Sequence, residues 1–131
     1  MLSDPLADML TRIRNAGQAK HKSVDIPGAR VKVALADVMK REGYIRNYKF
    51  IKDNKQGMLR VFLKYDANEK HVIYGLERVS KPSRRVYAQS SEIRPVLNGL
   101  GVAVLSTSKG LMTDVQAKKE NIGGEVLCNI W

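Results

Sequence analysis

The sequence is poor in the residues that build disulfides, metal sites and membrane spans. Its single cysteine, Cys128, excludes an intrachain disulfide and argues against a thiolate metal site. The two histidines, His21 and His71, have no partners at metal-ligand spacing, so we predict neither a metal nor a cofactor. No apolar run approaches the roughly 18 residues that a membrane-spanning helix needs. Residues 1–5 lack the basic and apolar segments of a signal peptide, so we expect a cytoplasmic protein.

Acidic residues are also scarce, with 13 Asp and Glu against 23 Lys and Arg and a net charge of +10. This imbalance predicts a polyanionic partner, because each neutralised phosphate releases counterions. The excess is uneven: residues 1–65 carry 14 basic and 6 acidic side chains, whereas residues 66–131 carry 9 and 7. General electrostatic attraction is therefore expected from the first half, and the nearly neutral second half is better suited to recognition.

The sequence pattern of the first half predicts two helices and a small sheet. Asp4 and Pro5 predict a helix start, because aspartate caps a helix and proline fits its first turn. A second helix is predicted over residues 29–42, with Val31, Leu35, Val38 and Met39 facing the core. Residues 45–51 and 58–65 are predicted to form the two strands of a hairpin, the second of which alternates. The cationic side chains of the second helix are expected outside: Arg30, Lys32, Lys40 and Arg41.

Residues 66–70, Asp-Ala-Asn-Glu-Lys, are the candidate linker. They have no apolar periodicity, and the net charge changes there. We therefore predict an N-terminal α/β domain over residues 1–65 and a C-terminal, β-rich domain over residues 71–131. With 44% hydrophobic residues, the chain can build a small core in each.

The C-terminal half has the pattern of short strands with little helix. Residues 71–79 read as a strand and residues 91–97 as a short helix. Asp114 is expected to cap a second short helix that Gly123 and Gly124 end, before a last strand over residues 125–131. Helices with a small sheet followed by a β-rich half correspond to an α+β fold.

The motifs that would indicate catalysis fail. Gly99 and Gly101 begin a dinucleotide fingerprint, but Val104 stands at the third glycine and a strand follows where it should precede. No serine lies in a nucleophile elbow. We therefore predict no enzyme. A small basic hydrolase acting on nucleic acid stays open as an alternative, although the sequence offers no convincing general base or metal cluster. A DNA-binding protein is a further alternative, against which the absence of a helix-turn-helix counts.

Residues 106–110, Ser-Thr-Ser-Lys-Gly, place three hydroxyls and a lysine between two strand-like runs. Strands on both sides would fix the loop, so its hydroxyls and N–H groups would suit phosphate oxygens, ribose hydroxyls and base edges. The plainer interpretation is an ordinary polar hairpin turn, and composition alone does not separate the two.

Two further segments favour binding. Arg84 and Arg85 precede Tyr87, so an exposed tyrosine would stack on a base while the arginines contact phosphate; in the plainer interpretation Tyr87 is buried. Gly123 and Gly124 permit close backbone approach before Glu125, whose carboxylate can accept a hydrogen bond from a base amino group. The plainer interpretation there is a helix end followed by a surface glutamate.

These segments resemble a known family. Residues 105–114, Leu-Ser-Thr-Ser-Lys-Gly-Leu-Met-Thr-Asp, with residues 123–128, Gly-Gly-Glu-Val-Leu-Cys, and Trp131, are similar to the closing signature of bacterial small-subunit ribosomal protein S8. Residues 4–15, Asp-Pro-Leu-Ala-Asp-Met-Leu-Thr-Arg-Ile-Arg-Asn, resemble the opening of that family. Residues 78–82, 85–87 and 99–101 match between them, so the resemblance spans essentially the whole chain.

The resemblance implies two small α/β domains packed together in a structural constituent of the small ribosomal subunit. It implies a primary binder of the central domain of 16S ribosomal RNA (rRNA), monomeric when free, which supports early assembly beside neighbouring ribosomal proteins. Some members also repress translation of their own operon's messenger RNA. The RNA-facing residues carried over are Ser106, Thr107, Ser108, Tyr87 and Glu125, with Lys109 adjacent. Backbone contacts are expected from Lys55, Arg30 and Lys32.

Overall fold

The structure, a computed structural model, describes residues 3–131 and has an α+β fold, which confirms the predicted class. Met1 and Leu2, two of the five residues on which the signal-peptide expectation is based, lie outside the described residues. The helices are α1 (Pro5–Gln18), α2 (Arg30–Arg41) and α3 (Asp114–Lys119). The strands are β1 (Ser23–Pro27), β2 (Ile45–Ile51), β3 (Met58–Leu63), β4 (Leu76–Arg78), β5 (Tyr87–Ala88), β6 (Val102–Thr107), β7 (Gly110–Thr113) and β8 (Gly124–Ile130). None of the helices described between residues 3 and 131 is long and apolar enough to cross a membrane.

Contacts between Cα atoms divide the chain into two compact units. The first unit is Asp8–Tyr74. The second unit consists of the residues up to Ala7 together with Gly75–Trp131. Residues 66–70 form a tight turn inside the first unit, where the Asp66 carboxylate accepts hydrogen bonds from two backbone N–H groups. A domain boundary at residues 66–70 stays a prediction.

Helix α1 begins as its sequence predicts. The backbone N–H of Ala7 donates to Oδ1 of Asp4 at 3.2 Å, which satisfies one of the N–H groups that a helix start leaves unpaired. The four side chains of the predicted apolar face are all buried: Leu6, Met9, Leu10 and Ile13. Local capping and helical periodicity were sufficient to locate this element.

The first unit contains an antiparallel sheet of order β1-β3-β2, and α2 contacts β2. The predictions that Val31 of α2 is buried and that Lys32 is exposed are both wrong. Val31 is 36% exposed, whereas Lys32 is only 5% exposed. The buried stripe of the helix runs through Lys32, Leu35 and Met39, because those positions share a face at helical spacing. The Lys32 ammonium donates to the carbonyl oxygen of Pro27 at 2.9 Å, so its stem packs inward while its charge is hydrogen-bonded.

The second unit contains a sheet of order β4-β8-β6-β7, with β5 also pairing with β8. One face carries an apolar cluster of Ile93, Ala103, Leu105, Met112 and Ala117. The helix predicted over residues 91–97 is wrong: only short 3-10 turns form, at Ser90–Glu92 and Leu97–Gly99. Pro95 explains the break, because it lacks an N–H group and disfavours a helical residue before it.

The predicted ends of α3 are also corrected. Thr113 is the cap, and its hydroxyl accepts from the N–H of Gln116 at 3.2 Å. Asp114 is 4% exposed and accepts from the N–H of Ala103 at 3.1 Å, so it ties α3 to β6. The helix ends at Lys119, before Gly123, so the prediction that Gly123 and Gly124 end it is wrong.

Candidate nucleic-acid interface

Three predicted contact residues form one row across the second unit. Tyr87 on β5 lies opposite Glu125 on β8, and Glu125 lies opposite Ser106 on β6. Residues directly opposite each other on antiparallel strands project to the same face. Because Leu105 points into the apolar cluster and side chains alternate along a strand, this row faces away from that cluster. Tyr87 is 70% exposed, so the plainer interpretation, in which Tyr87 is buried in the core, is wrong.

The paired glycines allow the strands of this row to come close together. A Cβ on Gly124 would collide with the carbonyl oxygen of Ser106, and one on Gly123 would lie 2.5 Å from the carbonyl oxygen of Ala88. Gly123 therefore provides close approach and not the predicted helix end. A groove of about 510 Å³ lies beside the row, lined by Tyr87, Gln89, Ser90, Gly123 and Gly124 among others. Its aromatic, amide, hydroxyl and backbone groups suit a splayed base.

Glu125 is fixed by two donors on one oxygen. Its Oε2 accepts from the Ser80 hydroxyl at 2.5 Å and from Nη1 of Arg85 at 2.9 Å. Ser80 is fully buried, and its hydroxyl oxygen in turn accepts from the N–H of Val86 at 3.1 Å. Within residues 3–131 no hydrogen bond reaches Oε1, so one carboxylate oxygen has no intramolecular donor. A carboxylate held in this way can accept from an amino group of a base.

The environment of Glu125 favours its charged form. Burial raises the pKa of its carboxyl. Hydrogen bonds from Ser80 and Arg85, together with the positive charges of Arg85 and Arg78, lower the pKa by more than burial raises it. The net pKa lies below the usual value of 4.5. Glu125 is therefore an acceptor at neutral pH.

Because of this lowered pKa, we expect folding stability to decrease as the pH falls below about 4.5. A group whose pKa is depressed in the folded state contributes fully above its unfolded value, here 4.5, and the contribution is lost as pH falls through the folded pKa. Glu125→Gln should flatten this part of the stability profile, measured by urea unfolding from pH 7 to pH 3.

Asp25→Asn is the comparison variant for this prediction. The hydrogen bond and charge of Arg60 lower the pKa of Asp25, but both side chains are about 40% exposed, so solvent screening should make its effect smaller. A Glu125→Gln profile with the wild-type slope would contradict the prediction.

The predicted hydroxyl loop is a two-residue hairpin turn. Ser106 and Thr107 belong to β6, Ser108 and Lys109 form the turn, and Gly110 starts β7 with φ of 101°. The Thr107 hydroxyl donates to the Gly110 carbonyl at 2.8 Å and accepts from the Lys109 N–H at 3.1 Å. Thr107 is therefore used inside the turn. In the described chain the Ser106 and Ser108 hydroxyls make no hydrogen bond, and Ser108 is exposed.

The predicted cations of the second unit lie near this row or beside the turn. Arg85 is half exposed and bound to Glu125, whereas Arg84 is exposed in a basic turn whose backbone pairs with Lys81. The Lys109 side chain is 65% exposed, with Nζ 3.7 Å from Oε1 of Glu120. Such solvent-accessible cations can neutralise phosphates without a large desolvation cost.

The first-unit candidates differ in accessibility. Lys55 is exposed between β2 and β3, in a turn where the Asp53 carboxylate accepts from its N–H at 2.7 Å. Arg30 is exposed at the start of α2. Lys32 would have to give up its bond to Pro27 to reach a phosphate, so the prediction that it contacts RNA has less support than the other two.

Sequence reasoning missed two residues that support the row. Ser80 fixes Glu125, and apart from its place in the family-like run 78–82 nothing in its local sequence distinguishes it from a surface serine. Arg78 is 9% exposed; its Nε lies 3.2 Å from the Asp4 carboxylate and its Nη1 donates to the Leu127 carbonyl at 2.7 Å. A lone arginine in a short strand-like run gave no signal of this role.

Comparisons with known proteins match nearly the whole chain. A family model described as Ribosomal protein S8 matches residues 4–131. The small ribosomal subunit protein uS8 of Geotalea daltonii is 60% identical over 130 residues, covering 99% of this chain and 98% of the relative. The uS8 proteins of Oceanobacillus iheyensis and Moorella thermoacetica are 53% and 57% identical, covering 100% and 99% of this chain and 99% and 100% of those relatives.

Proposed function

Because the chain belongs to the ribosomal protein S8 family, and is thus a structural constituent of the small ribosomal subunit and not an enzyme, we propose that it binds the central domain of 16S rRNA and supports early subunit assembly. The observation that carries this proposal is the row of Tyr87, Glu125 and Ser106, which combines an exposed ring, a fixed acceptor and a hydroxyl on one face of a sheet. These groups read unstacked bases and ribose hydroxyls, which RNA exposes at distorted sites.

Each part of the surface has its own task. Tyr87 stacks on a base, Glu125 accepts from a base amino group, and Ser106 and Ser108 bond ribose or phosphate oxygens. Phosphate contacts come from exposed cations: Arg84, Arg85 and Lys109 in the second unit, and Arg30 and Lys55 in the first. The charge excess of residues 1–65 supplies the salt-dependent part of the affinity.

The proposal is tested by titrating the protein against fragments of 16S rRNA at fixed salt. We expect the central-domain fragment to bind tightly and fragments of the other domains, matched in length, to bind only weakly. Duplex DNA of the same length should compete poorly, because its minor groove offers no 2′-hydroxyls. Equal affinity for all fragments would contradict the proposal.

Ser108→Ala should weaken binding to the central-domain fragment without changing stability. The lost hydroxyl contact is worth about 0.5–1.5 kcal/mol, which corresponds to a roughly 2- to 13-fold loss of affinity. The matched variant is Thr107→Ala, which removes both turn hydrogen bonds and should lower hairpin stability instead. Filter binding and thermal unfolding separate the two. Wild-type affinity of Ser108→Ala would remove Ser108 from the interface.

Lys55→Ala should change the salt dependence of binding. Loss of one phosphate contact makes the slope of log affinity against log salt shallower by about 1, with little change in discrimination between fragments. Lys70→Ala is the control, since Lys70 is an exposed cation of the same unit outside the predicted set. An unaltered slope for Lys55→Ala would exclude it as a phosphate contact.

We extend the proposal to the remaining partners. The protein is a cytoplasmic monomer when free, and in the ribosome it lies beside other small-subunit proteins. A messenger RNA from its own operon that reproduces the shape of the rRNA helix would occupy the same row and repress translation. The two RNAs should then compete, and Ser108→Ala should weaken both complexes. Simultaneous binding of both RNAs would contradict a shared site.

A further inference from the structure

The row proposed to contact RNA contains a carboxylate, although its partner is a polyanion. Glu125 lies between Tyr87 and Ser106, and its lowered pKa keeps it charged at neutral pH. A carboxylate in such an interface repels phosphates unless a cation stays beside it, because like charges across an interface oppose binding. The side chain that neutralises Glu125 therefore decides whether the row can accept RNA.

Arg85 is the side chain that neutralises Glu125. Its Nη1 lies 2.9 Å from Oε2 of Glu125, and the two side chains are 50% and 16% exposed. The other cation that acts on Glu125 is Arg78, whose Nε lies 3.2 Å from the Asp4 carboxylate. The charge of Arg78 is therefore already balanced by Asp4, and the charge of Arg85 is the one paired with Glu125.

Strand pairing places Arg85 on the same face as the row. The Val86 carbonyl accepts from the Val126 N–H at 2.9 Å, so the pairing of β5 with β8 continues on the N-terminal side of Tyr87. Side chains alternate along a paired segment, so Arg85 projects to the face of Tyr87 and Val86 projects to the other face. The backbone therefore sets up the contact between Arg85 and Glu125.

Arg85 has hydrogen-bond donors left for RNA. A guanidinium carries five N–H groups in a fixed planar fork. In the described part of the chain, Nη1 of Arg85 bonds to Glu125, and neither Nε nor Nη2 makes a hydrogen bond. The half-exposed side chain can therefore hold the carboxylate with one nitrogen while the others donate to a phosphate, which guanidinium groups bind through two parallel hydrogen bonds.

Arg84 is the matched comparison for Arg85. It is the preceding residue, it is exposed, and its backbone pairs with Lys81. Between residues 3 and 131 its side chain forms no ion pair, so its charge is not engaged by a carboxylate. Two arginines that are adjacent in sequence therefore differ in one respect, the carboxylate that Arg85 holds.

We propose that Arg85 is a positioning residue for RNA recognition: it stays bound to Glu125 in the complex, cancels the charge of that carboxylate, and donates its other N–H groups to the phosphate beside the base that Glu125 contacts. This role rests on the proposed function. Arg85 and Glu125 then act as one unit, so their substitutions have non-additive effects on affinity, whereas the effects of substituting Arg84 and Glu125 add.

Glu125→Gln in three backgrounds tests this role by filter binding to the central-domain fragment at fixed salt. In the wild type and in Arg84→Ala, glutamine should lower affinity roughly 2- to 13-fold, because it replaces a charged acceptor with a neutral one. In Arg85→Ala, the same change should raise affinity about threefold or more, because it removes a charge that has lost its cation. Arg85→Ala should fold, since its side chain is half exposed, and thermal unfolding of each variant checks this.

The direction of the glutamine effect separates the outcomes. If glutamine also lowered affinity in Arg85→Ala, Arg85 would be an ordinary phosphate contact and its positioning role would be overturned. If the wild-type protein bound the central-domain fragment no more tightly than the other fragments, the proposed function itself would fail, and the role of Arg85 with it.

The pH profile of binding is a second readout, which a purely structural role of Arg85 would not change. Burial raises the pKa of Glu125, and Arg85→Ala removes a hydrogen bond and a charge that lower it. The affinity of Arg85→Ala relative to wild type should therefore rise toward that of the double variant between pH 7 and pH 5, as Glu125 takes up a proton. The other polar groups that face Glu125 are those of Arg78, Ser80, Tyr87 and Ser106. Arg84→Ala should keep a constant ratio to wild type, and a constant ratio for Arg85→Ala overturns the proposal.

Discussion

Gly124→Ala is expected to cost about 1–3 kcal/mol of folding stability and to lower affinity for the central-domain RNA at least tenfold, or about 1.4 kcal/mol. The added Cβ would meet the carbonyl oxygen of Ser106, a backbone atom that cannot move unless β6 moves away from β8. That movement would separate Ser106 from Glu125, so one methyl group would damage both the sheet and the proposed contact row. Urea unfolding and RNA titration measure the two effects.

Gly99→Ala is the matched control for this variant. Gly99 has φ of 95°, but the space that an added methyl group would occupy is open, so alanine there adds backbone strain without a collision. It should lower stability by about 1–2 kcal/mol and leave RNA affinity unchanged, since Gly99 lies outside the row. If Gly124→Ala retained wild-type affinity, close approach of β6 and β8 would not be what the RNA site requires.

Local signals were sufficient where an element depends on its own residues. Asp4 and Pro5 identified the start of α1, and apolar alternation identified β3, whose partner β2 precedes it across a short turn. Capping and periodicity act within a few residues, so they can be read from the chain directly.

Two predictions failed where a hydrogen-bond partner outside the helix itself decided the outcome. Lys32 can be buried because the Pro27 carbonyl accepts a hydrogen bond from its ammonium group, and a helical pattern cannot reveal that acceptor. Asp114 has the residue type of a cap but serves as the acceptor for Ala103 of β6. Both errors have the same cause, because a buried polar group needs a partner that tertiary structure supplies.

The candidate site was predictable as residue types but not as geometry. Tyr87, Ser106 and Glu125 were each identified from their segments, yet their alignment depends on the register of β5, β8 and β6. The separate tasks of the hydroxyls also needed the structure, because only the hairpin geometry engages Thr107 and leaves Ser108 exposed. Register and hydrogen bonding arise from pairing between segments, which composition does not encode.

Tyr87→Ala should lower RNA affinity by about 1–3 kcal/mol, or roughly 5- to 150-fold, because stacking on an aromatic ring contributes about that much for each base. Folding stability should change by no more than about 0.5 kcal/mol, since the side chain is 70% exposed. Tyr87→Phe should keep most of the affinity, whereas Tyr87→Leu should lose it, because leucine retains apolar area without a π face.

Tyr74→Ala provides the control for Tyr87→Ala, as Tyr74 is 77% exposed and lies outside the predicted set. Filter binding at one salt concentration should leave Tyr74→Ala at wild-type affinity while Tyr87→Ala falls. An equal loss in both variants would mean that exposed tyrosines act non-specifically. Full affinity in Tyr87→Leu would mean that Tyr87 contributes apolar contact area and not stacking.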